Sequence, residues 1–171
     1  LYDKLMDSGK KYNISNFGTY AVNSLRIEKA YRGWGSELTG EISLVEAGME
    51  RFYNLNKKDN FLGSEILKEN ITKGIEIKIV YLEVNTEDAD PIGNEPVYYN
   101  GKIVGVVTSG AYGFRVNKSL AFAYVQADLA QSIKEFEIEI QGNKRKAKVL
   151  EEMAYDPRNN RLVSWKYPKE F

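Results

Sequence analysis

At Gly74 the hydrophobic period of the chain changes, and nothing else in the sequence constrains the fold as much. Before it, Leu62, Ile66, Leu67 and Ile71 recur at steps of one helix face, which predicts a helix over Phe61 to Lys73. Gly74 then stands where a left-handed C-cap is expected. After it, Ile75, Ile77 and Ile79 alternate with Glu76 and Lys78, the pattern of a strand with one wet face. The expectation is an α+β chain with a helical or mixed segment over 1–73 and a small antiparallel β-barrel or sandwich over 74–171.

Earlier segments fit that division. Leu1, Leu5 and Met6 share one face of a short amphipathic helix ending near Tyr12, and a second helix is expected from Tyr20 to Glu28. Gly33 and Gly35 then make Tyr31 to Leu38 a loop. In the second half, Asn100-Gly101 suits a type I′ turn pairing Tyr98 with Ile103 and Val97 with Val104. Gly142-Asn143 predicts another hairpin, with Glu139 opposite Lys146, Glu137 opposite Lys148 and Phe136 opposite Val149.

The balance of residue types excludes several kinds of chemistry. Twenty-four acidic side chains match twenty-four basic ones, so no global field steers the chain toward nucleic acid or an anionic membrane. There is no cysteine and no histidine, which removes disulfides, thiolate nucleophiles, imidazole bases and Cys or His zinc sites. No apolar run reaches the roughly 20 residues that cross a bilayer, and no metal site is expected. These features lead to the expectation of a soluble, cytoplasmic protein. The chain opens on Leu1 in a helical pattern already under way, so it is expected to begin inside a longer one.

The most unusual local composition is Arg26-Ile27-Glu28-Lys29-Ala30-Tyr31-Arg32-Gly33-Trp34-Gly35. Guanidinium forks hold carboxylates, and aromatic faces beside flexible backbone accept a flat ring. The competing reading pairs Arg26 with Glu28 or another nearby acid and packs Tyr31 and Trp34 in the core. Thr108-Ser109-Gly110-Ala111-Tyr112-Gly113 reads as a strand end and turn rather than a phosphate loop. Glu87-Asp88-Ala89-Asp90 lacks the spacing of a calcium loop. The basic run Lys144 to Lys148 is expected to be neutralised by glutamates of its own hairpin.

Several ordered stretches resemble one family: Asn23-Ser24-Leu25-Arg26-Ile27-Glu28-Lys29, Tyr31 to Leu38, Val45-Glu46-Ala47-Gly48-Met49, Asn60-Phe61-Leu62-Gly63, Gly101 to Gly110 and Lys118 to Val125. They are similar to the aminomethyltransferase family, comprising the glycine cleavage T-protein and the folate-binding regions of dimethylglycine and sarcosine dehydrogenases. The Arg-Gly-Trp and Glu-Ala-Gly elements lean toward the dehydrogenase branch.

The resemblance implies that residues 1–73 are the end of a folate-binding domain and 74–171 the family's carboxy-terminal β-barrel. It implies tetrahydrofolate as cofactor and an aminomethyl or N-methyl amine as one-carbon donor. Arg26 is the residue it would carry over as a ligand contact, with Tyr31, Arg32 and Trp34 beside it and Arg158 and Arg161 as weaker candidates. No catalytic residue is assigned, because the family's catalytic aspartate belongs to an amino-terminal domain with no counterpart before Leu1. The chain alone is therefore expected to be inactive. FAD enters only with an upstream domain, since no Gly-x-Gly-x-x-Gly follows a strand here. The alternatives are a non-catalytic binding or regulatory module of the same family and, more weakly, a folate-linked RNA-modification factor. Neither a nucleic acid nor a membrane is an expected partner.

Overall fold

The structure, a computed structural model, describes residues 1–57 and 61–163; Asn60 of the Asn60 to Gly63 motif lies outside them. The helical segment contains α1 (Tyr2–Gly9), α2 (Thr19–Glu28) and α3 (Ser64–Lys73). It is followed by β1 (Ile77–Val84), β2 (Pro96–Tyr99), β3 (Lys102–Gly113), β4 (Lys118–Gln126), α4 (Ala127–Ser132), β5 (Glu135–Ile140), β6 (Asn143–Val149) and α5 (Asn160–Val163). The six strands close into a barrel in the order β1-β4-β3-β2-β5-β6, every pair antiparallel. The α+β expectation with a small barrel is met, and closure leaves no sheet edge to protect.

Alternation fills the interior. Val80, Leu82, Val84, Val97, Val107, Ala121, Ala123, Val125, Phe136, Ile138, Ile140 and Ala147 form one buried cluster. Strands β3 and β4 approach closely at one point of the wall, where a Cβ at Gly105 would lie 2.2 Å from the Tyr124 carbonyl oxygen.

Neither face of β1 is wet along its length. Val80, Leu82 and Val84, on the face of Glu76 and Lys78, point into the bore, while Ile79 and Tyr81 join Leu120, Phe122 and Tyr124 of β4 and Ile27 of α2 in a second buried cluster outside the barrel. Two hydroxyls seal the layers: Tyr81 Oη donates to Ile27 O (2.8 Å) and Ser24 Oγ to Tyr112 O (2.7 Å). Sequence alternation at Glu76 and Lys78 ends before this covered part of the strand begins.

Both hairpin registers differ from expectation. Asn100 and Gly101 have the positive φ of a type I′ turn and Tyr98 does oppose Ile103, but a bulge after Val97 moves its partner from Val104 to Gly105. The second turn is made by Gln141-Gly142, also at positive φ, so Glu139 faces Lys144, Glu137 faces Lys146 and Phe136 faces Ala147. The slip is two residues, and a two-residue slip keeps every side chain on its own face. Glutamates therefore still oppose lysines outside while apolar residues fill the bore. Gly74 has φ 84° and ψ 169°, a region open to glycine but not the left-handed helical cap expected.

Candidate functional site

The site begins at the end of α2. Tyr31 N donates to Arg26 O (2.9 Å) and Ala30 N to Ile27 O (2.9 Å), the two hydrogen bonds of a Schellman cap, with Ala30 at φ 52°. This turn throws Tyr31 and Arg32 away from the helix axis. A second tight turn over 43–49 receives them. Ser43 N donates to Glu46 Oε2 (2.7 Å), Glu46 N donates to Ser43 Oγ (3.2 Å), and Ile79 N pins the turn to β1 through Glu46 O (2.9 Å).

Arg32 bridges the two turns. Its Nη1 donates to Ala30 O (2.8 Å) and its Nε to Ala47 O (3.2 Å), while the guanidinium lies 5.4 Å from the Phe122 ring centre. A Cβ on Gly48, which sits at φ +62°, would come 3.1 Å from Arg32 Nη2. This explains the glycine of the Glu-Ala-Gly element.

No carboxylate lies within ion-pair distance of Arg32 among the described residues. Burial, followed by the neighbouring Arg51, pushes its pKa below the usual arginine value. Glu37 and Glu50 attract this half-buried cation without pairing with it, and an anion placed against it would recover part of the cost of its burial. It opens into a cavity of about 610 Å³ lined by Ala30, Tyr31, Arg32, Met49, Arg51, Phe52 and Asn159. Arg51 stacks 4.7 Å from the Phe52 ring centre. The site therefore offers two guanidiniums and two aromatic rings.

Arg26 is placed differently. Its Nη1 donates to Glu37 Oε2 (2.8 Å) and Tyr31 O (3.2 Å), and its Nε to Asn23 Oδ1 (2.8 Å). Glu37 is fully buried. The arginine does not line this cavity and stands behind the Tyr31–Arg32 turn, paired with Glu37 rather than Glu28. Tyr31 and Trp34 are not core residues; Trp34 is 82% exposed and away from the cavity.

Arg158 and Arg161 are exposed and do not line the cavity either. Their loop reaches it through Asn159, whose Oδ1 accepts from Lys29 Nζ (2.6 Å). Sequence reasoning missed Met49, Arg51 and Phe52 as cavity residues, although Arg-Phe a few residues after the Glu-Ala-Gly element was an available signal. It also missed Glu37. A larger hollow of about 770 Å³ at one end of the barrel mixes carboxylates with lysines. Several of its charges are already matched, as in Lys118–Glu83 and Arg145–Asp88, both 2.7 Å.

The comparisons decide the family. The glycine cleavage T-protein C-terminal barrel domain matches residues 78–156, and the GCVT N-terminal domain matches residues 1–57. The chain belongs to the glycine cleavage T-protein family. Human mitochondrial dimethylglycine dehydrogenase is 44% identical over 95% of this chain and 19% of its own length. The mouse mitochondrial pyruvate dehydrogenase phosphatase regulatory subunit is 34% identical over 73% of this chain and 15% of its own. Aminomethyltransferase T of the glycine cleavage system from Bartonella henselae superposes with a TM-score of 0.75 at 26% identity, covering 86% of this chain and 41% of that one. The chain thus spans about a fifth of the dehydrogenases it matches. No helix among the described residues is long and apolar enough to cross a membrane.

Proposed function

We propose that this T-protein-family chain forms one wall of a tetrahydrofolate site in a protein that moves a one-carbon unit from an aminomethyl or iminium donor to the cofactor. The observation that carries the reading is Arg32, a half-buried guanidinium without a carboxylate partner among the described residues, opening with Arg51 into a cavity edged by Tyr31 and Phe52. Tetrahydrofolate joins a flat heterocycle and a benzoyl ring to carboxylates, which suits this donor set. When bound, it supplies the nitrogens that accept the one-carbon unit.

In this reading Arg32 and Arg51 hold carboxylate oxygens, while Tyr31 and Phe52 offer faces to a ring. Arg26 fixes the turn from behind through Tyr31 O, and Asn159 brings the loop of Arg158 and Arg161 to the rim. The division into a folate-domain segment over 1–73 and a barrel over 74–171 belongs to the same proposal. So does the upstream sequence that would supply the catalytic aspartate. The described residues hold no glycine-rich turn between a strand and a helix of the kind a dinucleotide needs, so a flavin would be carried by other sequence. We keep the cytoplasm as the compartment, with mitochondria the alternative that the relatives' names suggest.

The test is calorimetric titration of the full-length protein with tetrahydrofolate. Arg32→Ala is expected to weaken binding by about 1.5–3 kcal/mol, roughly tenfold to a hundredfold in Kd. Equal affinity in wild type and variant would remove the cavity from the role given to it. A non-catalytic regulatory module is the second reading, favoured by the likeness to the phosphatase regulatory subunit. It requires a full-length protein that binds the cofactor, or another ligand, without turnover.

A further inference from the structure

Neighbouring residues in a regular strand point to opposite faces, so Thr108 and Ser109 should not reach one atom. They do. The register of β3 against β4 passes from Val107↔Ala123 to Ser109↔Phe122, a bulge that leaves Thr108 unpaired in the ladder. Both hydroxyls then meet Glu37 Oε1, at 2.7 Å from Thr108 Oγ1 and 2.5 Å from Ser109 Oγ. Thr108 Oγ1 also lies 3.3 Å from Phe122 O, but its one proton goes to the shorter, charged acceptor.

The other carboxylate oxygen faces the ligand turn. Glu37 Oε2 accepts from Gly33 N (2.7 Å) and Arg26 Nη1 (2.8 Å), and the same Nη1 reaches Tyr31 O. Arg32 is therefore bracketed on both sides by backbone groups tied, directly or through Arg26, to Glu37. Tyr124 Oη secures the Glu37 carbonyl (2.8 Å). A fully buried carboxylate is tolerated only when its lone pairs are used, and the barrel provides half of those bonds.

We infer that Glu37, anchored by Thr108 and Ser109 on the barrel bulge, is a positioning residue that sets the Tyr31–Arg32 turn for its ligand. The barrel is then part of the binding site without touching the ligand. This rests on the reading that Arg32 meets the cofactor, and the experiment separates the two.

The full-length protein is compared with Thr108→Val/Ser109→Ala, which loses both hydroxyls, and Thr108→Ser/Ser109→Thr, which keeps them. Ser109→Ala alone serves if the first double variant does not fold. Without ligand, hydrogen exchange at the amides of residues 31–38 is expected to rise about tenfold when the hydroxyls are lost, with β5 and β6 unchanged and the hydroxyl-retaining variant like wild type. Calorimetry should show tetrahydrofolate binding about tenfold weaker in the first variant and restored in the second. Unchanged exchange at 31–38, an equal rise throughout the barrel, or failure of the hydroxyl-retaining pair to rescue would each overturn the anchor. A local rise with undiminished affinity would overturn its link to the ligand. If wild type does not bind tetrahydrofolate at all, the cofactor reading falls, while exchange still decides whether the bulge holds the turn.

Discussion

The barrel and the helical segment before it treat apolar side chains in opposite ways. Inside the barrel every apolar position of β5 is covered, whereas on α1 and α2 Leu5 is 56% and Tyr20 94% exposed. A closed sheet completes its own core, but a helix must find something to lie against. Here α2 lies against the outer face of β1, β3 and β4, and offers Ile27 to it. The other side of the layer exposes Leu5, Tyr20, Val22 and Leu25. The Tyr31–Arg32 turn lies between these regimes, tied to the barrel through Glu37 and open on its cavity side.

The sharpest way to break this contrast is to remove one large side chain from each half. Phe136 is buried in the bore, with its ring centre 6.1 Å from that of Tyr99. Phe136→Ala should cost about 3–5 kcal/mol in urea unfolding of this chain, while Leu5→Ala should stay within about 0.5 kcal/mol. A large loss at Leu5 would mean that the helical face is already packed in solution.

Arg26→Ala attacks the joint between the halves. It leaves Glu37 buried beside two hydroxyls with no cation, and should destabilise the chain by about 3 kcal/mol. Arg32→Ala removes a cation that has no carboxylate partner among the described residues, so the same unfolding assay should register less than about 1 kcal/mol. If the two arginines cost the same, the division into a structural and a ligand-facing guanidinium is wrong.

The division between sealed and open surfaces also appears in alkali. Burial, aided by nearby carboxylates, raises the pKa of Tyr81 and Tyr124 above the ordinary tyrosine value of 10.0. The folded state then holds these protons more tightly than the unfolded state, so stability is intact below pH 10 and falls as the pH climbs beyond it. Thermal unfolding between about pH 9 and 11 should show this loss, and Tyr81→Phe/Tyr124→Phe should flatten it. At neutral pH each Phe variant should cost about 1 kcal/mol for the carbonyl left without its donor.

How much of this was legible in the sequence depends on distance along the chain. Asn100-Gly101 marks its own turn because both residues must take positive φ, and such a signal is local. Gln141 takes the same φ without advertising it, and the hairpin was placed two residues out. That both faces of β1 are buried could not be seen, because Ile27 and Ile42 come from far upstream to pack against one of them. In the site, composition singled out Tyr31 and Arg32. The acid facing Arg26 was not identified, since two of its partners lie 71 and 72 residues away on a bulge that no nearby residue announces.

The smallest expected effect tests the turn itself. Ala30 holds the left-handed position of the Schellman cap, where a Cβ costs about 1–2 kcal/mol and glycine pays nothing sterically. Glycine gives back part of that gain through the greater freedom of its unfolded chain, about 0.4–1 kcal/mol. Ala30→Gly should therefore stabilise the chain by about 0.5 kcal/mol, a rise of roughly one or two degrees in Tm. The carbonyl of residue 30 still accepts from Arg32 Nη1, so the guanidinium keeps its place and ligand affinity should not change. A gain in stability accompanied by weaker binding would show instead that alanine's strain is what holds Arg32 open to the cavity.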